Sequence, residues 1–313
     1  MSEIVRVLSE ASGLFPSLVR EIINRAPVSY KWYTIPKRNG SKRLIAQPAR
    51  EVKALQRALV DHLKHLPIHS AATAYRPGLS IRDNALAHAA AGPIKKYDFS
   101  DFFPSIRSTD WRTYCHERKL FEAEEDVDLT TQLLFAKFVG RYPHRLAIGA
   151  PSSPWVSNVL MYEFDDRISR AVAEDHVTYS RYADDLTFSA RRTGYLTGVD
   201  RTLRSVIRGL DSPKLTINDQ KTVLVTKKYR RVITGLVLAD DGRVTIGRDR
   251  KRELRAAIHH AQSGRLDAEE QAKLAGLLAH VKSVEPAYFN QLIARYGADL
   301  LKRLNSAQGT YFE

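Results

Sequence analysis

The sequence is poor in cysteine, and this narrows the classes of protein that it can encode. Cys115 is the single cysteine among 313 residues, so no disulfide can form within the chain. Zinc and iron–sulfur sites built on several cysteines are excluded for the same reason. A chain of this length can instead bury a sizeable core and hold two or three subdomains.

Long apolar stretches are also missing. The start, MSEIVRVLSEASG, carries acidic residues and has no apolar run of the length that a signal peptide needs. No later stretch is long enough to span a membrane. We therefore expect a cytoplasmic protein.

Acidic residues are outnumbered by basic ones. The chain has 49 Lys and Arg against 35 Asp and Glu, which gives a formal net charge of +14. Such an excess favours a polyanionic partner, because cationic side chains that neutralise phosphates release counterions. A basic protein that binds no polyanion is the alternative, and charge alone leaves it open.

More than half of this excess lies between residues 221 and 265, where twelve side chains are basic and four are acidic. Within GRDRKRELRAAIHHA, helical spacing of Leu254, Ala257, Ile258 and Ala261 predicts an amphipathic helix. The arginines fall largely off that apolar face, so the outer face suits a phosphate backbone. A face that only keeps the protein soluble is the alternative.

The tetrapeptide Tyr182-Ala183-Asp184-Asp185 is the most informative motif. Residues typical of strands flank it on both sides, so the pattern predicts a hairpin with an acidic tip. Adjacent strand residues point to opposite faces, but a turn lets both carboxylates approach one metal cluster. Two Mg²⁺ ions held by carboxylates serve an in-line attack on a phosphate. A solvated Asp-Asp turn is the alternative, and a third carboxylate on another strand would favour the metal site.

Asp98, in the segment IKKYDFSDFFPSI, is the candidate for that third carboxylate. The apolar, aromatic-rich run predicts a buried strand that leaves into a turn at Pro104. A charge inside such a strand is costly unless it is paired or bound to metal, so we interpret Asp98 as functional. Asp101 either joins the same site or caps the turn or helix that begins near Pro104.

Another pair of adjacent acids, Asp165-Asp166, lies in the run from Val156 to Ile168. The spacing of apolar residues predicts a helix over this run. We expect both acids on its solvent-exposed face, without a functional role.

The motifs, taken in order, resemble the palm of a reverse transcriptase. Asp98 with the aromatic residues after it comes first, then the segment from Gly149 to Pro154, and then Tyr-Ala-Asp-Asp. Three further segments resemble the fingers hairpin, the lysine-bearing motif and the primer grip of bacterial reverse transcriptases: Tyr33 to Pro48, Leu215 to Thr222 and Arg230 to Leu238. The resemblance covers nearly the whole chain from about Tyr33 onward.

Two short elements resemble the retron reverse transcriptases within that family. Asn84 to His88 matches an Asn-Ala-x-x-His element, and Ile233 to Gly235 is close to a Val-Thr-Gly triplet, with Ile in place of Val. Taken singly, the first could be a hydrogen-bonded helix face and the second a strand bend. Both in this order in a short reverse transcriptase make a specific pair.

The resemblance implies an α+β protein with the right-hand polymerase fold. We expect N-terminal helices and fingers over residues 1–94, a palm with a βαββ-type sheet over 95–238, and a short, basic helical thumb over 239–313. A helical fingers insertion is expected within the palm range, near residues 112–147. No RNase H domain is expected, so removal of the template would need a host RNase H.

The resemblance also implies the catalytic residues and their cofactor. Asp98, Asp184 and Asp185 would hold two Mg²⁺ ions. Asp98 and Asp184 would bind both ions, whereas Asp185 would bind one of them only weakly. The metals would align a primer hydroxyl with the α-phosphate of a deoxynucleotide. Lys221 occupies the position of a lysine proposed to protonate the departing pyrophosphate.

The residues expected to bind the incoming nucleotide lie in three segments, and they are Lys37, Arg43, Phe99, Phe103 and Gly149. Phe103 sits where the family places an aromatic that crowds a ribose 2′-OH, although a core phenylalanine is the alternative. Gly149 would let the backbone come close to template or nucleotide. Many members have Gln before that glycine, whereas this chain has Ile148, so its nucleotide affinity or fidelity is expected to differ.

For a retron enzyme, the resemblance implies a structured non-coding RNA encoded beside the gene. The enzyme would prime from a guanosine 2′-OH of that RNA and leave a branched, RNA-linked single-stranded DNA, called msDNA. It would act in anti-phage defence with an effector protein from the same operon. We expect Thr234 and Gly235 in the primer grip, and RNA contacts from Asn84, His88, Arg248, Arg250, Lys251, Arg252 and Arg255.

Other functions stay open on the sequence alone. Another bacterial reverse transcriptase class (group II intron, diversity-generating or CRISPR-linked) is the nearest, although the two retron-like elements argue against it. A catalytically silent, RNA-binding scaffold is a second, favoured by Ile148 and opposed by the three intact carboxylates. A basic, metal-dependent nuclease would use similar carboxylates but not the fingers hairpin.

Overall fold

The computed structural model describes residues 2–37 and 40–306 and has the mixed α+β architecture expected from the sequence. The chain divides into two compact units. The first comprises Met1–Tyr75, Lys95–Phe188 and Gly194–Val223, and the second comprises Arg76–Ile94, Ser189–Thr193 and Leu224–Glu313. Among the described residues, none of the helices combines the length and apolar character that crossing a membrane requires.

Three helices lie near the start of the first unit: α1 (Glu3–Ser12), α2 (Pro16–Arg25) and α3 (Arg50–His62). The apolar stripe of α1, made of Ile4, Val5 and Leu8, is fully buried. Gly13 ends α1 in the left-handed conformation that glycine adopts without strain. A proline at the first position of α2 has no N–H that the helix would leave unpaired.

A hairpin separates α2 from α3. Its strands, β1 (Tyr30–Pro36) and β2 (Lys42–Pro48), pair antiparallel from Tyr30 opposite Pro48 to Pro36 opposite Lys42. The hairpin predicted from the sequence is therefore present. The sequence between the two strands includes Arg38 and Asn39, which we expect in the turn and which lie outside the described residues.

A small sheet carries the centre of the first unit. Its strands are β3 (Ile94–Asp98), β6 (Thr178–Tyr182), β7 (Asp185–Ser189) and β8 (Val223–Val225), in the spatial order β6-β7-β3-β8. Helices α8 (Ser153–Leu160) and α9 (Tyr162–Ala173) connect β3 to β6, which gives the expected βαββ connectivity. The helix predicted from Val156 to Ile168 is thus two helices that meet at Met161.

The first unit also contains α5 (Phe102–Ser105), α6 (Ser108–Arg118), α7 (Glu124–Leu134), β4 (Ala136–Phe138), β5 (Arg141–Arg145) and α10 (Val199–Gly209). The segment near 112–147 therefore contains a β-hairpin as well as helix, which differs from the purely helical insertion expected. The ring of Trp32 on β1 meets Phe138 on β4 edge to face at 4.8 Å. This contact between distant segments stabilises the hairpin, and local sequence spacing could not reveal it.

Up to residue 306, the second unit contains a short helix, a three-stranded sheet and four longer helices: α4 (Ile81–Leu86), β9 (Arg231–Ile233), β10 (Leu236–Leu238), β11 (Val244–Thr245), α11 (Arg248–Gln262), α12 (Ala268–Val284), α13 (Pro286–Tyr296) and α14 (Ala298–Ser306). On α11, Leu254 and Ile258 are buried, and Ala257 and Ala261 pack beside them, as the helical spacing predicted. The boundaries expected for fingers, palm and thumb stay a prediction.

Candidate functional site

The acidic hairpin predicted from the sequence forms in the first unit. β6 ends at Tyr182 and β7 begins at Asp185, so Ala183 and Asp184 make a two-residue connection. Ala183 has a φ of 58°, a left-handed conformation that is strained for a residue with a side chain. The backbone N–H of Phe99 donates to the carbonyl of Asp184 at 3.2 Å. This bond ties the turn to the residue that follows β3.

Asp98 is the last residue of β3 and lies beside this turn. Its side chain is largely buried, and its backbone carbonyl accepts a hydrogen bond from the N–H of Asn218 at 2.8 Å. The Nζ of Lys221 lies 2.9 Å from each oxygen of the Asp98 carboxylate. The chain therefore brings together all four residues predicted to be catalytic: Asp98, Asp184, Asp185 and Lys221.

The three carboxylates repel one another. Desolvation by its neighbours, followed by repulsion from Asp184 and Asp98, raises the pKa of Asp185 to about 6. Asp185 as a whole remains exposed, so solvent screens part of that repulsion. Burial and then repulsion from Asp98 also raise the pKa of Asp184, against the opposing charges of Lys221 and Arg43. The cluster thus holds negative charge that a further cation would stabilise.

Lys221 is the cation that contacts the cluster directly. Its hydrogen bond to Asp98 raises the pKa of Lys221, and the charges of Asp184 and Asp185 act in the same direction. The side chain therefore stays protonated at neutral pH. A protonated lysine in this place can give its proton to a departing phosphate oxygen.

The donor set of this site fits a divalent metal ion. Carboxylate oxygens are the ligands that Mg²⁺ prefers, and a divalent cation would relieve the repulsion among Asp98, Asp184 and Asp185. Within residues 2–37 and 40–306, no three His, Cys, Asp or Glu side chains are arranged to enclose a metal as they stand. Lys221 instead pairs with Asp98.

Two further residues, Tyr75 and Arg43, interact electrostatically with Asp184. Tyr75 has a φ of 59° and is 50% exposed, and its ring centroid lies 6.5 Å from that of Phe103. Burial, followed by the charge of Asp184, raises the pKa of Tyr75, while Arg43 opposes the rise. Arg43 was predicted here, but Tyr75 was missed. No sequence pattern marks it, because its position depends on contacts made by segments far away in the chain.

The two phenylalanines assigned to nucleotide binding occupy different environments. Phe99 is 2% exposed and packs against Phe102 and Phe164, with ring centroids 5.7 and 5.5 Å away. Phe99 is therefore part of the core that supports the site, and its burial gives no support to a direct contact with the nucleotide. Phe103 is half-buried beside Tyr75, and its contact with a ribose stays a prediction.

Gly149 is required by a close approach of two backbones. Its φ is 119°, and a Cβ placed there would lie 2.9 Å from the carbonyl oxygen of Ala46 on β2. The carbonyl of Ile148 also accepts a hydrogen bond from the N–H of Ala46 at 2.8 Å. The glycine thus fits the loop against the β1–β2 hairpin. Lys37 is exposed beyond β1, and its nucleotide contact, like that of Gly149, stays a prediction.

The expectation that Asp165 lies on a solvent-exposed face is wrong. Asp165 is fully buried and forms an ion pair with Arg181, whose Nη2 lies 2.7 Å from its Oδ2. Asp166 is partly exposed and pairs with Arg170. Asp165 precedes the buried Ile168 by three residues on α9, so helical spacing already placed it on the apolar face. The partner that makes its burial tolerable comes from β6.

In the second unit, the two elements typical of retron enzymes lie together. Thr234 and Gly235 connect β9 to β10, with φ values of 47° and 84° that suit a tight hairpin turn. The hydroxyl of Thr234 donates to the carbonyl of Ile81 at 3.1 Å. Ile81 begins α4, the helix that carries Asn84. This bond fixes the turn to the helix.

Asn84 and His88 themselves are buried. Their exposed fractions are 1% and 0%, and the Nδ1 of His88 lies 2.6 Å from the hydroxyl oxygen of Ser189. Burial lowers the pKa of His88 to about 4, so the ring is neutral at physiological pH. Side chains placed in this way have no surface to offer to RNA. Their RNA contact stays a prediction that this geometry does not favour.

The basic residues of α11 are not equivalent. Arg248, Arg252 and Arg255 are exposed, and Arg250 is partly buried. The Nζ of Lys251 is hydrogen-bonded to Glu285 on the same unit and lies 4.3 Å from the ring centroid of Tyr288. Lys251 is therefore already occupied within the protein, which weakens the expectation that it contacts RNA.

Comparison with known proteins identifies related chains. The sequence model described as Reverse transcriptase (RNA-dependent DNA polymerase) matches residues 35–255. The Retron Ec83 reverse transcriptase of Escherichia coli is 34% identical over 284 residues, which cover 90% of this chain and 91% of that protein. The Retron Ec86 reverse transcriptase of the same species is 31% identical and covers 95% of this chain and 91% of its own length. The Retron Mx162 reverse transcriptase of Myxococcus xanthus is 33% identical over 92% of this chain and 65% of its own length.

Solved structures resemble the chain more remotely. A foamy viral protease-reverse transcriptase in complex with double-stranded DNA has a TM-score of 0.47 at 14% identity, covering 90% of this chain and 43% of that chain. Telomerase from Candida tropicalis in complex with a fragment of telomeric RNA has a TM-score of 0.48 at 11% identity, covering 91% of this chain and 60% of that chain. These values are too low to carry an argument about function.

We expect Gly149→Ala to impair both folding stability and DNA synthesis. The new Cβ would meet the Ala46 carbonyl at a φ that L-residues avoid, so the unfolding free energy should fall by about 1–3 kcal/mol. Urea denaturation and a primer-extension assay measure the two effects. Gly194→Ala is the matched control, because its Cβ would enter open space at an ordinary φ. Equal stability of the two variants would contradict the close-approach explanation.

Asp185→Asn should be more stable than the wild type at neutral pH in EDTA, because it lacks a charge that burial disfavours and that Asp184 and Asp98 repel. The folded-state pKa of Asp185, about 6, lies above the unfolded value of about 4. The ionised carboxylate therefore opposes folding, and the wild type regains stability as the pH falls through 6. Thermal midpoints between about pH 4.5 and pH 7.5 should converge at the acidic end. A difference between the variant and the wild type that does not change with pH would refute the effect.

Proposed function

The chain belongs to the reverse transcriptase family, as an RNA-directed DNA polymerase of a retron, and we propose that it makes msDNA from a cognate structured RNA. The right-hand polymerase fold expected from the sequence follows from that membership. In the proposed reaction, a guanosine 2′-OH of the RNA is the primer, and the product is a branched RNA linked to single-stranded DNA. The proposed setting is cytoplasmic anti-phage defence, with an effector protein from the same operon and a host RNase H that removes the template.

One observation carries the catalytic part of the proposal. Asp98, Asp184 and Asp185 come from two separate segments of the chain and meet where the neighbouring strands β3 and β7 end and begin, and there burial and repulsion from the other carboxylates raise the pKa values of Asp184 and Asp185. A catalytically silent scaffold has no reason to maintain this repulsion, since replacing the carboxylates by neutral residues would relieve it. The buried position of Asp98 beside Lys221 points in the same direction.

Enzymes of this family use divalent metal ions, and Mg²⁺ is the ion proposed here. Asp98, Asp184 and Asp185 are the proposed ligands, and the bound metals would supply Lewis acids for the primer hydroxyl and the α-phosphate. Lys221 holds a proton at Nζ, next to the carboxylates, and is the proposed acid for the departing pyrophosphate. Its contact with Asp98 must open before it can reach a nucleotide.

The residues around the carboxylates are proposed to bind and orient the deoxynucleotide. Arg43 acts on the charge of Asp184 from the fingers hairpin, so it is placed to attract a triphosphate into the site. Tyr75 and Phe103 lie beside each other at the same site and offer aromatic surfaces to sugar or base. Ile148 stands where many relatives have a glutamine, so this chain has no amide at that position to hydrogen-bond the nucleotide.

RNA binding is assigned to the outer face of α11. Arg248, Arg252 and Arg255 are exposed there, within the part of the chain that holds more than half of its excess positive charge. Guanidinium groups bind phosphates through several donors in fixed geometry, which suits the backbone of an RNA stem. Arg250 is a lesser contributor on this geometry because it is partly buried.

The test of the proposed reaction is to express the gene with its native flanking DNA, purify the protein and analyse the nucleic acid bound to it. We expect a discrete small DNA whose electrophoretic mobility changes after RNase and after debranching enzyme. The DNA should be absent from an Asp184→Asn, Asp185→Asn variant and present in an Asp166→Asn variant, whose partly exposed carboxylate pairs with Arg170.

Two outcomes would contradict the proposal. RNA alone in both the wild type and the Asp184→Asn, Asp185→Asn variant would favour the scaffold. DNA synthesis from an added primer-template without any branched product would favour another class of bacterial reverse transcriptase.

Alanine at Arg248, Arg252 and Arg255 should weaken binding of the co-purified RNA by about 10- to 100-fold and reduce the salt dependence by about one unit for each lost phosphate contact. Filter binding at several salt concentrations measures both quantities. The control is alanine at Arg6, Arg25 and Lys64. These cations are exposed, and their replacement lowers the net charge by the same amount. Equal losses for the two triple variants would mean that total charge, and not α11, governs RNA binding.

A further inference from the structure

An ion pair without solvent contact lies beneath the catalytic turn in the first unit. The side chains of Arg181 on β6 and Asp165 on α9 are each 0% exposed. The guanidinium of Arg181 donates two hydrogen bonds to the carboxylate of Asp165: Nε lies 2.9 Å from Oδ1, and Nη2 lies 2.7 Å from Oδ2. The hydroxyl of Tyr179 donates to the same Oδ1 at 2.8 Å. Every oxygen of this buried carboxylate is therefore satisfied.

The remaining arm of the guanidinium reaches the catalytic turn. Nη1 of Arg181 donates to the backbone carbonyl of Ala183 at 3.2 Å and to Oδ1 of Asn158 at 3.1 Å. Ala183 immediately precedes Asp184 and holds the left-handed φ of 58°. Arg181 therefore donates a hydrogen bond to the backbone of the turn, while Asp165 on α9 and Asn158 on α8 hold its guanidinium in place.

The same group of residues fixes the segment that carries Tyr75. The backbone N–H of Arg181 donates to the carbonyl of Ala71 at 2.8 Å, and the backbone N–H of Thr73 donates to the carbonyl of Arg181 at 2.9 Å. The side-chain amide of Asn158 donates to the carbonyl of Ala74 at 2.9 Å. Tyr75 follows directly. Both the acidic turn and the tyrosine that faces it therefore depend on Arg181 and Asn158.

Stability alone does not account for this arrangement. A buried ion pair is expensive to desolvate, and well-packed apolar residues of similar volume often stabilise a fold as much or more. A strained backbone residue, in contrast, persists only where its surroundings determine its conformation. The carbonyl of Ala183 accepts a hydrogen bond from the guanidinium of Arg181, which Asp165 and Asn158 hold in place. This bond constrains the orientation of the next peptide group.

We propose that Arg181, fixed by Asp165 and Asn158, is a positioning residue that sets the direction of the Asp184 and Asp185 carboxylates. The inference rests on the proposed catalytic role of those two aspartates. Arg181 is too deeply buried to touch substrate, so it acts through the turn. Loss of the Nη1 contact would let the turn relax and move the carboxylates, and displacements of this kind on the scale of 1 Å reduce rates about 100-fold.

Arg181→Lys is the informative variant, because lysine keeps the charge opposite Asp165 but cannot also reach Ala183 and Asn158. We expect kcat for primer extension to fall about 10- to 100-fold, with KM for the deoxynucleotide changed less than about twofold. Binding of Mn²⁺, followed by electron paramagnetic resonance without substrate, should weaken about fivefold or more, because the ligands are no longer held in place.

Tyr179→Phe is the matched control. It removes one hydrogen bond to Asp165, keeps the ring against Phe188, and leaves the contact between Arg181 and Ala183 intact. Its thermal midpoint should fall by about as much as that of Arg181→Lys, but kcat and Mn²⁺ affinity should stay near the wild-type values. Asn158→Ala provides a second variant if Arg181→Lys does not fold, because it leaves the ion pair and removes an anchor of Nη1. It should show the same selective loss of kcat.

The outcomes separate this inference from the function on which it rests. If Asp184→Asn is inactive while Arg181→Lys and Asn158→Ala behave like Tyr179→Phe, Arg181 has only a structural role and the inference is wrong. If Asp184→Asn keeps full polymerase activity, the proposed catalytic site itself is wrong, and the inference falls with it. Selective loss of kcat and Mn²⁺ affinity in Arg181→Lys and Asn158→Ala, with Asp184→Asn inactive, is the supporting result.

Discussion

Repulsion among Asp98, Asp184 and Asp185 is the constraint on which the rest of this site depends. Burial and repulsion from neighbouring carboxylates raise the pKa values of Asp184 and Asp185, so these two groups oppose folding when they are ionised. Lys221 counters this by an ion pair, while Arg43 acts on Asp184 and Lys96 acts on Asp185 through charge alone. The cations come from separate elements, so the charge balance exists only in the folded chain.

Holding like charges together requires a rigid backbone around them, and two parts of the first unit supply it. Gly149 lets the loop before α8 approach the fingers hairpin at a distance that no side chain would permit. The buried pair of Arg181 and Asp165 lies under the turn that carries the aspartates and bonds to its backbone. Strain at Ala183 is tolerable in this setting because neighbouring groups hold the turn from both sides.

The two retron-like elements illustrate a different use of sequence motifs. Asn84 and His88 are buried, and the turn at Thr234 and Gly235 is bonded to the start of the helix that carries Asn84. Within the second unit, these motifs therefore build a framework, whereas the arginines of α11 provide the exposed charge. A motif that marks a family need not itself touch the ligand, since it can fix the surface that does.

By itself, the sequence determined the elements whose pattern is local. The acidic hairpin at Asp184, the strand ending at Asp98 and the apolar face of α11 follow from residue types and spacing, and so does the family resemblance. Tertiary structure alone decided which residues meet. Burial of Asp165 is tolerable only because Arg181 arrives from another element, and Tyr75 faces the carboxylates only because distant segments place it there. The position of Phe99 also depends on tertiary structure. Its apolar character is visible in the sequence, but the rings of Phe102 and Phe164 that pack against it set its place beneath the site. Local spacing reports the face on which a side chain lies, whereas its partners depend on how the chain folds back on itself.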